Sequence, residues 1–254
     1  MNALYLLFFC AVSLGVQSKE VIFVHGNGVD ATFWHEGEQA LASSVEERLG
    51  SENVIYANYL TEAEIEDPYK NYHSPKFYKK IKKAFDEAKS NNLIIIAHSF
   101  GVTLTLATLE YYKLWHRVDK FVAMGGALRG LQSCKAFGPY NRFSPTCYGQ
   151  SKLDPFVFGF YPGYYKINDW TANYYYSFRN MPRLHREIDF ISFTIGKDDS
   201  IVCRTYFSDP ICVNSGKFNE YGNVQNFDLQ GQGLNHFTLP DGVNRDLLFK
   251  WMEL

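Results

Sequence analysis

The sequence predicts an α/β protein built on a mostly parallel open sheet with helices on both faces. Short apolar runs rich in β-branched residues, typical of strands buried on both faces, lie at residues 21–24, 54–57, 93–97 and 121–124. Segments with a helical spacing of apolar residues separate them, and a helix between two strands returns the chain parallel to the first strand. The 254 residues, 46% of them hydrophobic, suit one domain with a large core.

The remaining elements follow from the same patterns and from helix-ending residues. They are helices at residues 36–49, after Pro75, at 102–109 and at 243–252, and strands at 188–195 and 224–229. Gly50 ends the first helix, and Val102, Leu106 and Leu109 share one face of the third. The alternation stops between the strands at 121–124 and 188–195, which indicates an insertion there.

The segment 92–109, NLIIIAHSFGVTLTLATL, is the most informative part of the chain. It predicts a buried strand, a sharp turn at Ser99 and a helix, which is the layout of a nucleophile elbow. Such a turn needs small residues two positions before and after the serine, and Ala97 and Gly101 fill these positions. The turn exposes the hydroxyl group, and the amides of the following helix point at any bound negative charge. Ser99 is therefore the predicted nucleophile.

A serine hydroxyl needs a base within hydrogen-bond reach, and that base needs a carboxylate to orient it. In this fold the order along the chain is serine, acid, histidine, with the acid and the histidine on loops after late strands. Of the seven histidines, only His236 follows the candidate acids in such a loop. Asp199 is the preferred acid because the run Asp-Ser-Ile-Val fits this fold, while Asp198 and, more distantly, Asp209 remain alternatives.

The predicted strand at 21–24 runs into the glycine-rich turn His25-Gly26-Asn27-Gly28. Such a turn lies where an open α/β sheet forms its ligand crevice. The backbone N–H groups of Asn27 and Phe100 are the predicted oxyanion hole. A plain tight turn is the alternative, whereas a phosphate-binding loop is excluded because the chain lacks both nucleotide-binding glycine patterns.

Residues 1–18 predict a secretory signal peptide and hence a secreted protein. The segment has no charged side chain, contains an apolar run at residues 4–16 and ends in small residues before Lys19. The run is too short to span a bilayer, although an uncleaved N-terminal anchor is the alternative. Residues 19–254 then form a single domain.

The cysteines predict disulfides, as expected for a secreted chain. Without Cys10, four remain, and three pairings are open. Proximity favours Cys134 with Cys147 and Cys203 with Cys212. The chain has no spacing typical of zinc ligands and no N-glycosylation sequon. We therefore expect neither a metal nor a cofactor.

The insertion at about residues 130–180 is predicted to be a cap or lid over Ser99. Fifteen aromatic residues lie there, and the favoured pair Cys134 and Cys147 would pin its start. The aromatic side chains could line an apolar pocket or contact a lipid surface. The alternative is that they form only a local core for an irregular segment.

The charge of the chain argues against a nucleic-acid partner. A formal net charge of −2 and a pI near 6.4 do not favour nucleic acid. A small-molecule ester or lipid is the expected substrate, and the sequence does not predict an oligomeric state.

Four motifs together resemble the α/β-hydrolase superfamily. They are His25-Gly26, the AHSFG run at residues 97–101, the DSIV run at 199–202 and His236. Within that superfamily the chain is similar to secreted class 2 lipases (EstA/LipA-like), which also share the GGALRG run at 125–130.

The resemblance implies hydrolysis of carboxylic esters of lipids by Ser99, Asp199 and His236, with Asn27 and Phe100 as oxyanion donors. Thioester cleavage or acyl transfer would use the same residues. A lipid-binding protein without turnover, on the same scaffold, is the hypothesis from another functional class.

Overall fold

The computed structural model describes residues 19–37, 40–62, 77–128, 178–203 and 216–254. The predicted signal peptide, almost all of the predicted cap and Asp209 lie outside these ranges, as do Cys134, Cys147 and Cys212. Within the described part, no helix is both long and apolar enough to cross a bilayer.

The described core is a six-stranded sheet in which all neighbouring strands are parallel. The strands are β1 Glu20–Val24, β2 Val54–Tyr56, β3 Leu93–His98, β4 Val118–Met124, β5 Asp189–Thr194 and β6 Val224–Asp228. Their order across the sheet is β2-β1-β3-β4-β5-β6. This confirms the predicted open parallel sheet, which requires helical crossovers on its faces.

Helices cover both faces, as predicted. They are α1 Leu41–Leu49, α2 Phe77–Glu87, α3 Phe100–Tyr112, α4 Met181–Leu184 and α5 Arg245–Met252. Alternate strand residues point to opposite faces, so each face has its own apolar core. Helices α2 and α3 pack on one face, and α1 and α5 on the other.

The first helix begins later than the predicted residue 36. A 3-10 helix occupies Ala31–His35, and α1 starts at Leu41. The carboxylate of Asp30 accepts a hydrogen bond from the Thr32 amide (2.8 Å), which starts the 3-10 turn. Phe33 and Trp34 in this turn are buried. The chain therefore makes a buried 3-10 turn before the predicted helix, and the helix itself begins five residues later than predicted.

Helix α3 is more deeply buried than its pattern predicts. Instead of one apolar face, every residue from Phe100 to Leu109 is buried. The three threonines on the helix avoid unpaired hydroxyl groups by donating to carbonyl oxygens of their own helix, as Thr105 does to Gly101 (2.6 Å). The helix that follows Ser99 is thus a core element enclosed on all sides.

Tight packing between two turns fixes the start of α3. A Cβ atom at Gly101 would lie 2.7 Å from the carbonyl oxygen of Val24, and closer still to that of His25. Only glycine fits this approach, which supports the prediction of a small residue after the serine. The turn after β1 and the turn after β3 are therefore held against each other.

We expect Gly101→Ala to lower the free energy of unfolding by about 3 kcal/mol or more, because the new methyl group meets rigid backbone atoms. Gly222→Ala is the matched control, since a Cβ there meets nothing within 4 Å. Urea denaturation of both variants measures the difference. Equal stability of the two variants would contradict the packing described here.

Candidate active site

Ser99 lies at the carboxyl end of β3 in a strained backbone conformation. Its φ is +54° and its ψ is −122°, which costs a non-glycine residue about 1–3 kcal/mol. The Ser99 amide donates to the carbonyl oxygen of Met124 at the end of β4 (2.8 Å). The side chain is half-buried. This is the geometry of a nucleophile elbow, and it lifts the hydroxyl group above the edge of the sheet.

Three side chains from distant parts of the chain form a hydrogen-bonded series. His236 Nε2 lies 2.7 Å from Ser99 Oγ, and its Nδ1 lies 2.8 Å from Asp199 Oδ2. Because a carboxylate only accepts, Nδ1 carries the proton and Nε2 accepts from the hydroxyl group. Both His236 and Asp199 are 2% exposed, so water does not compete for these contacts. The arrangement can remove a proton from Ser99.

The two adjacent aspartates in the loop after β5 make different contacts. The second carboxylate oxygen of Asp199 accepts from the amides of Ile201 (3.0 Å) and Val202 (2.8 Å), which fixes its orientation toward His236. Asp198 is exposed and instead accepts from the Gly231 amide in the loop after β6 (2.7 Å). Asp199 is therefore the aspartate in contact with His236.

A second contact ties the same two loops together. The amide of Lys197 donates to the side-chain oxygen of Gln230 (3.0 Å). Together with the bond from Gly231 to Asp198, it joins the loop that carries Asp199 to the loop that leads to His236. The aspartate and the histidine thus sit on one connected unit.

His98 supports His236 from below, a role that the sequence does not reveal. His98 Nε2 lies 2.8 Å from the backbone oxygen of His236. Burial lowers the pKa of His98 well below its ordinary value of 6.5, so the ring is neutral and Nε2 carries the proton that it donates. Phe33 stacks on the other side of the ring at 4.6 Å. The sequence shows only that a histidine directly precedes the predicted nucleophile.

Two further residues shape the turn that carries Asn27. The Tyr59 hydroxyl group lies within hydrogen-bond distance of the carbonyl oxygens of Gly26 (2.9 Å) and His25 (3.1 Å). The rings of Tyr59 and His25 stack with centroids 4.3 Å apart and nearly parallel. Burial lowers the pKa of His25 to about 4, so this ring is also neutral near pH 7. Tyr59 precedes the elbow by 40 positions, and no local pattern points to it.

The predicted oxyanion residues belong to the two turns that pack against each other at the serine. A Cβ at Gly26 would lie 3.1 Å from Ser99 Cβ, so the turn after β1 packs directly on the elbow. Asn27 is the next residue of that turn, and Phe100 is the first residue of α3. Their function as donors remains a prediction.

Cysteines and metal ligands add two observations. Cys203, whose amide donates to the Asp199 carbonyl oxygen (2.9 Å), is disulfide-bonded, while the predicted pairings involve cysteines outside the described ranges. Among the described residues there is no cluster of three histidine, cysteine or acidic side chains suited to a metal ion.

No protein-family model matches the sequence, and no curated protein is similar to it in sequence. Solved structures do match. The mature form of the lipase BlEst2 from Bacillus licheniformis gives a TM-score of 0.55 at 14% identity, over 93% of this chain and 92% of that chain. A structure from work on the metagenome-derived lipolytic enzymes LipS and LipT gives 0.55 at 12% identity, over 93% and 92%. Aspergillus fumigatus lipase B gives 0.54 at 15% identity, over 88% of this chain and 49% of that chain.

These matches and the sheet order establish the α/β-hydrolase fold, as the motifs predicted. At 12–15% identity the likeness is one of fold. The functions of individual residues rest on the geometry of this chain.

Acid should weaken the fold through the buried histidines. Below pH 6.5 unfolded His25 binds a proton, whereas folded His25 stays neutral down to about pH 4. Stability is therefore complete above pH 6.5 and is lost as the pH falls toward 4. We expect His25 alone to make the protein about 2 kcal/mol less stable at pH 5 than at pH 8. Urea denaturation of wild type and His25→Phe tests this, since the loss should be smaller in the variant; an equal loss would contradict it.

His98 should matter for the reactivity of Ser99 through the position of His236. His98→Phe keeps a ring against Phe33 but leaves the buried carbonyl oxygen of His236 without its donor, which costs about 1–3 kcal/mol. We expect a serine-directed fluorophosphonate to modify Ser99 of this variant at least about tenfold more slowly than Ser99 of the wild type. His98→Gln retains an amide donor and should recover part of the rate. If Ser99 is modified at the same rate in His98→Phe and His98→Gln, and the two variants have the same thermal stability, the bond from His98 does not position His236.

Proposed function

We propose that this chain is a serine ester hydrolase that cleaves acyl esters through an acyl-enzyme. The observation that carries the proposal is the unbroken hydrogen-bonded series from Ser99 through His236 to Asp199, mounted on a strained elbow. The fold, which lipases share, supports the same class of reaction. A strained serine in contact with an oriented, buried imidazole has the features of an activated nucleophile.

The first half of the reaction forms the acyl-enzyme. Ser99 Oγ attacks the acyl carbonyl carbon while His236 Nε2 takes the hydroxyl proton, and Asp199 stabilises the resulting imidazolium. The carbonyl oxygen becomes an oxyanion, which the amides of Asn27 and Phe100 stabilise. His236 then passes its proton to the oxygen of the alcohol. The bond between that oxygen and the acyl carbon breaks, and the alcohol leaves.

The second half repeats these steps with water. His236 Nε2 takes a proton from a water molecule whose oxygen attacks the acyl carbon. Collapse of the intermediate breaks the bond to Ser99 Oγ, which regains its proton from His236. The products are a carboxylic acid and free enzyme.

Acyl lipids outside the cell are the proposed substrates. The names of similar structures, which include lipases, support the lipid class. Two sequence features support it further: the aromatic-rich segment at about residues 130–180, whose proposed role is a cap that contacts lipid, and residues 1–18 as a secretory signal. Similarity of the motifs to secreted class 2 lipases agrees with both.

Ser99→Ala should lower turnover of p-nitrophenyl esters from acetyl to palmitoyl by at least about 10⁴-fold, because it removes the hydroxyl group that His236 contacts. A fluorophosphonate should form an adduct on Ser99 of the wild type. Ser43→Ala, at an exposed position of α1, is the matched control and should retain full activity. Turnover that survives Ser99→Ala would refute the mechanism.

The two aspartates offer an internal comparison. Asp199→Asn should lower kcat by about 10³- to 10⁴-fold, because an amide favours the wrong imidazole tautomer. Asp198→Asn keeps an acceptor for Gly231 and should lower kcat less than about threefold. Steady-state kinetics of both variants measure the contrast, and a larger effect at residue 198 would reverse the assignment.

A further inference from the structure

The turn after β1 contains a carbonyl oxygen that lies between two donors. The oxygen of Gly26 is 2.9 Å from the Tyr59 hydroxyl group and 2.8 Å from His25 Nδ1. Because a carbonyl oxygen only accepts, both groups donate to it, and the neutral His25 ring carries its proton on Nδ1. Tyr59 is completely buried, so water does not compete with its hydroxyl group. No step of the mechanism above uses either donor.

This carbonyl group belongs to the same peptide as the amide of Asn27, one of the two predicted oxyanion donors. In a planar trans peptide the C=O and the following N–H point in opposite directions, and the described part of the chain has no cis peptide. Two donors on the Gly26 oxygen therefore fix the plane of the peptide. The Asn27 N–H points away from Tyr59.

The peptide is also close to the nucleophile. A Cβ at Gly26 would lie 3.1 Å from Ser99 Cβ and 2.9 Å from His98 Nδ1. Rotation of the peptide would therefore move the Asn27 N–H relative to the acyl carbonyl group that Ser99 attacks. An oxyanion donor acts only from a fixed position, because its contribution depends on being oriented before the charge develops.

The sheet brings Tyr59 to this turn. β2 is the parallel neighbour of β1, and beyond its end the Ala57 amide still donates to the carbonyl oxygen of Phe23 (2.9 Å). The segments that follow the two strands therefore leave the sheet side by side. The Tyr59 ring stacks on His25 with centroids 4.3 Å apart and lies 6.4 Å from the ring of Phe100, the other predicted oxyanion residue.

We propose that Tyr59 is a positioning residue for ester hydrolysis: its hydroxyl group and His25 Nδ1–H hold and polarise the peptide whose Asn27 N–H stabilises the oxyanion. The inference rests on the proposed ester hydrolase function and adds the support of one oxyanion donor. Hydrogen bonds that share a peptide strengthen one another, since a donor on the C=O makes the N–H a better donor. The effect is largest when negative charge develops on the substrate oxygen, in the transition state.

Tyr59→Phe tests the proposal because it removes the hydroxyl group and keeps the ring on His25. We expect kcat for p-nitrophenyl butyrate to fall about tenfold with KM changed less than about twofold, since the bond acts in the transition state. Loss of a whole oxyanion donor costs more, about 10²- to 10³-fold. Tyr56→Phe is the matched control, because it removes a hydroxyl group that donates to Glu46 (2.7 Å), and it should leave kcat unchanged.

A thionoester separates this role from a purely structural one. Sulfur in place of the carbonyl oxygen is a weak hydrogen-bond acceptor, so oxyanion donors contribute little to its reaction. Tyr59→Phe should therefore slow the thiono analogue of p-nitrophenyl butyrate less than about threefold, compared with about tenfold for the ester. The ratio of the two rates does not depend on the fraction of folded protein. His25→Phe removes the second donor and should lower this ratio in the same direction.

The outcomes separate this inference from the function on which it rests. Equal losses for ester and thionoester in Tyr59→Phe, a loss confined to KM, or an ester rate that stays at the wild-type level overturns the inference alone. If the wild type does not hydrolyse p-nitrophenyl butyrate and forms no phosphonate adduct on Ser99, both the proposed function and the inference are wrong.

Discussion

The left-handed backbone of Ser99 is the constraint on which the rest of the site depends. A serine does not hold this conformation unaided, so its surroundings must impose it. The Met124 carbonyl oxygen binds its amide, and α3 is packed so tightly behind it that only glycine fits at position 101. The buried helix therefore stabilises the fold and also fixes the nucleophile. Burial of the apolar core offsets the free-energy cost of holding Ser99 in this strained conformation.

The parallel sheet solves the second problem, which is to gather residues that are far apart in the chain. Parallel strands end at one common edge, so Ser99 after β3, Asp199 after β5 and His236 after β6 meet there. The turn after β1 reaches the same edge and packs on Ser99. Each contact is then refined by local bonds, such as the two amides that orient the Asp199 carboxylate. The sheet topology thus brings the three residues together, and hydrogen bonds within the loops set the orientations of their side chains.

The sequence predicted those parts of the molecule that have a local or an ordered signal. The elbow and the strands show in runs of neighbouring residues, and His236 stands out because it alone follows the acid in the required order. The support of His98 for the His236 loop joins residues 138 positions apart, and Tyr59 acts on a turn more than 30 positions away. No periodicity encodes such contacts, because they arise only when the sheet assembles. The 3-10 helix at Ala31–His35 escaped prediction for a related reason, because the burial of Phe33 and Trp34 arises only when the chain folds.

The link between the loops after β5 and β6 has a consequence for how the protein loses its site. Among the described residues, hydrogen bonds from Lys197 to Gln230 and from Gly231 to Asp198 join the loops, in addition to the contact between His236 and Asp199. Segments joined in this way open as one cooperative unit in native-state fluctuations. The loops that carry Asp199 and His236 should then open and close together. The molecule therefore alternates between a state in which both residues are in place and a state in which neither is. Amide hydrogen exchange would show this as a shared opening free energy for the two loops, rather than a gradient from one to the other.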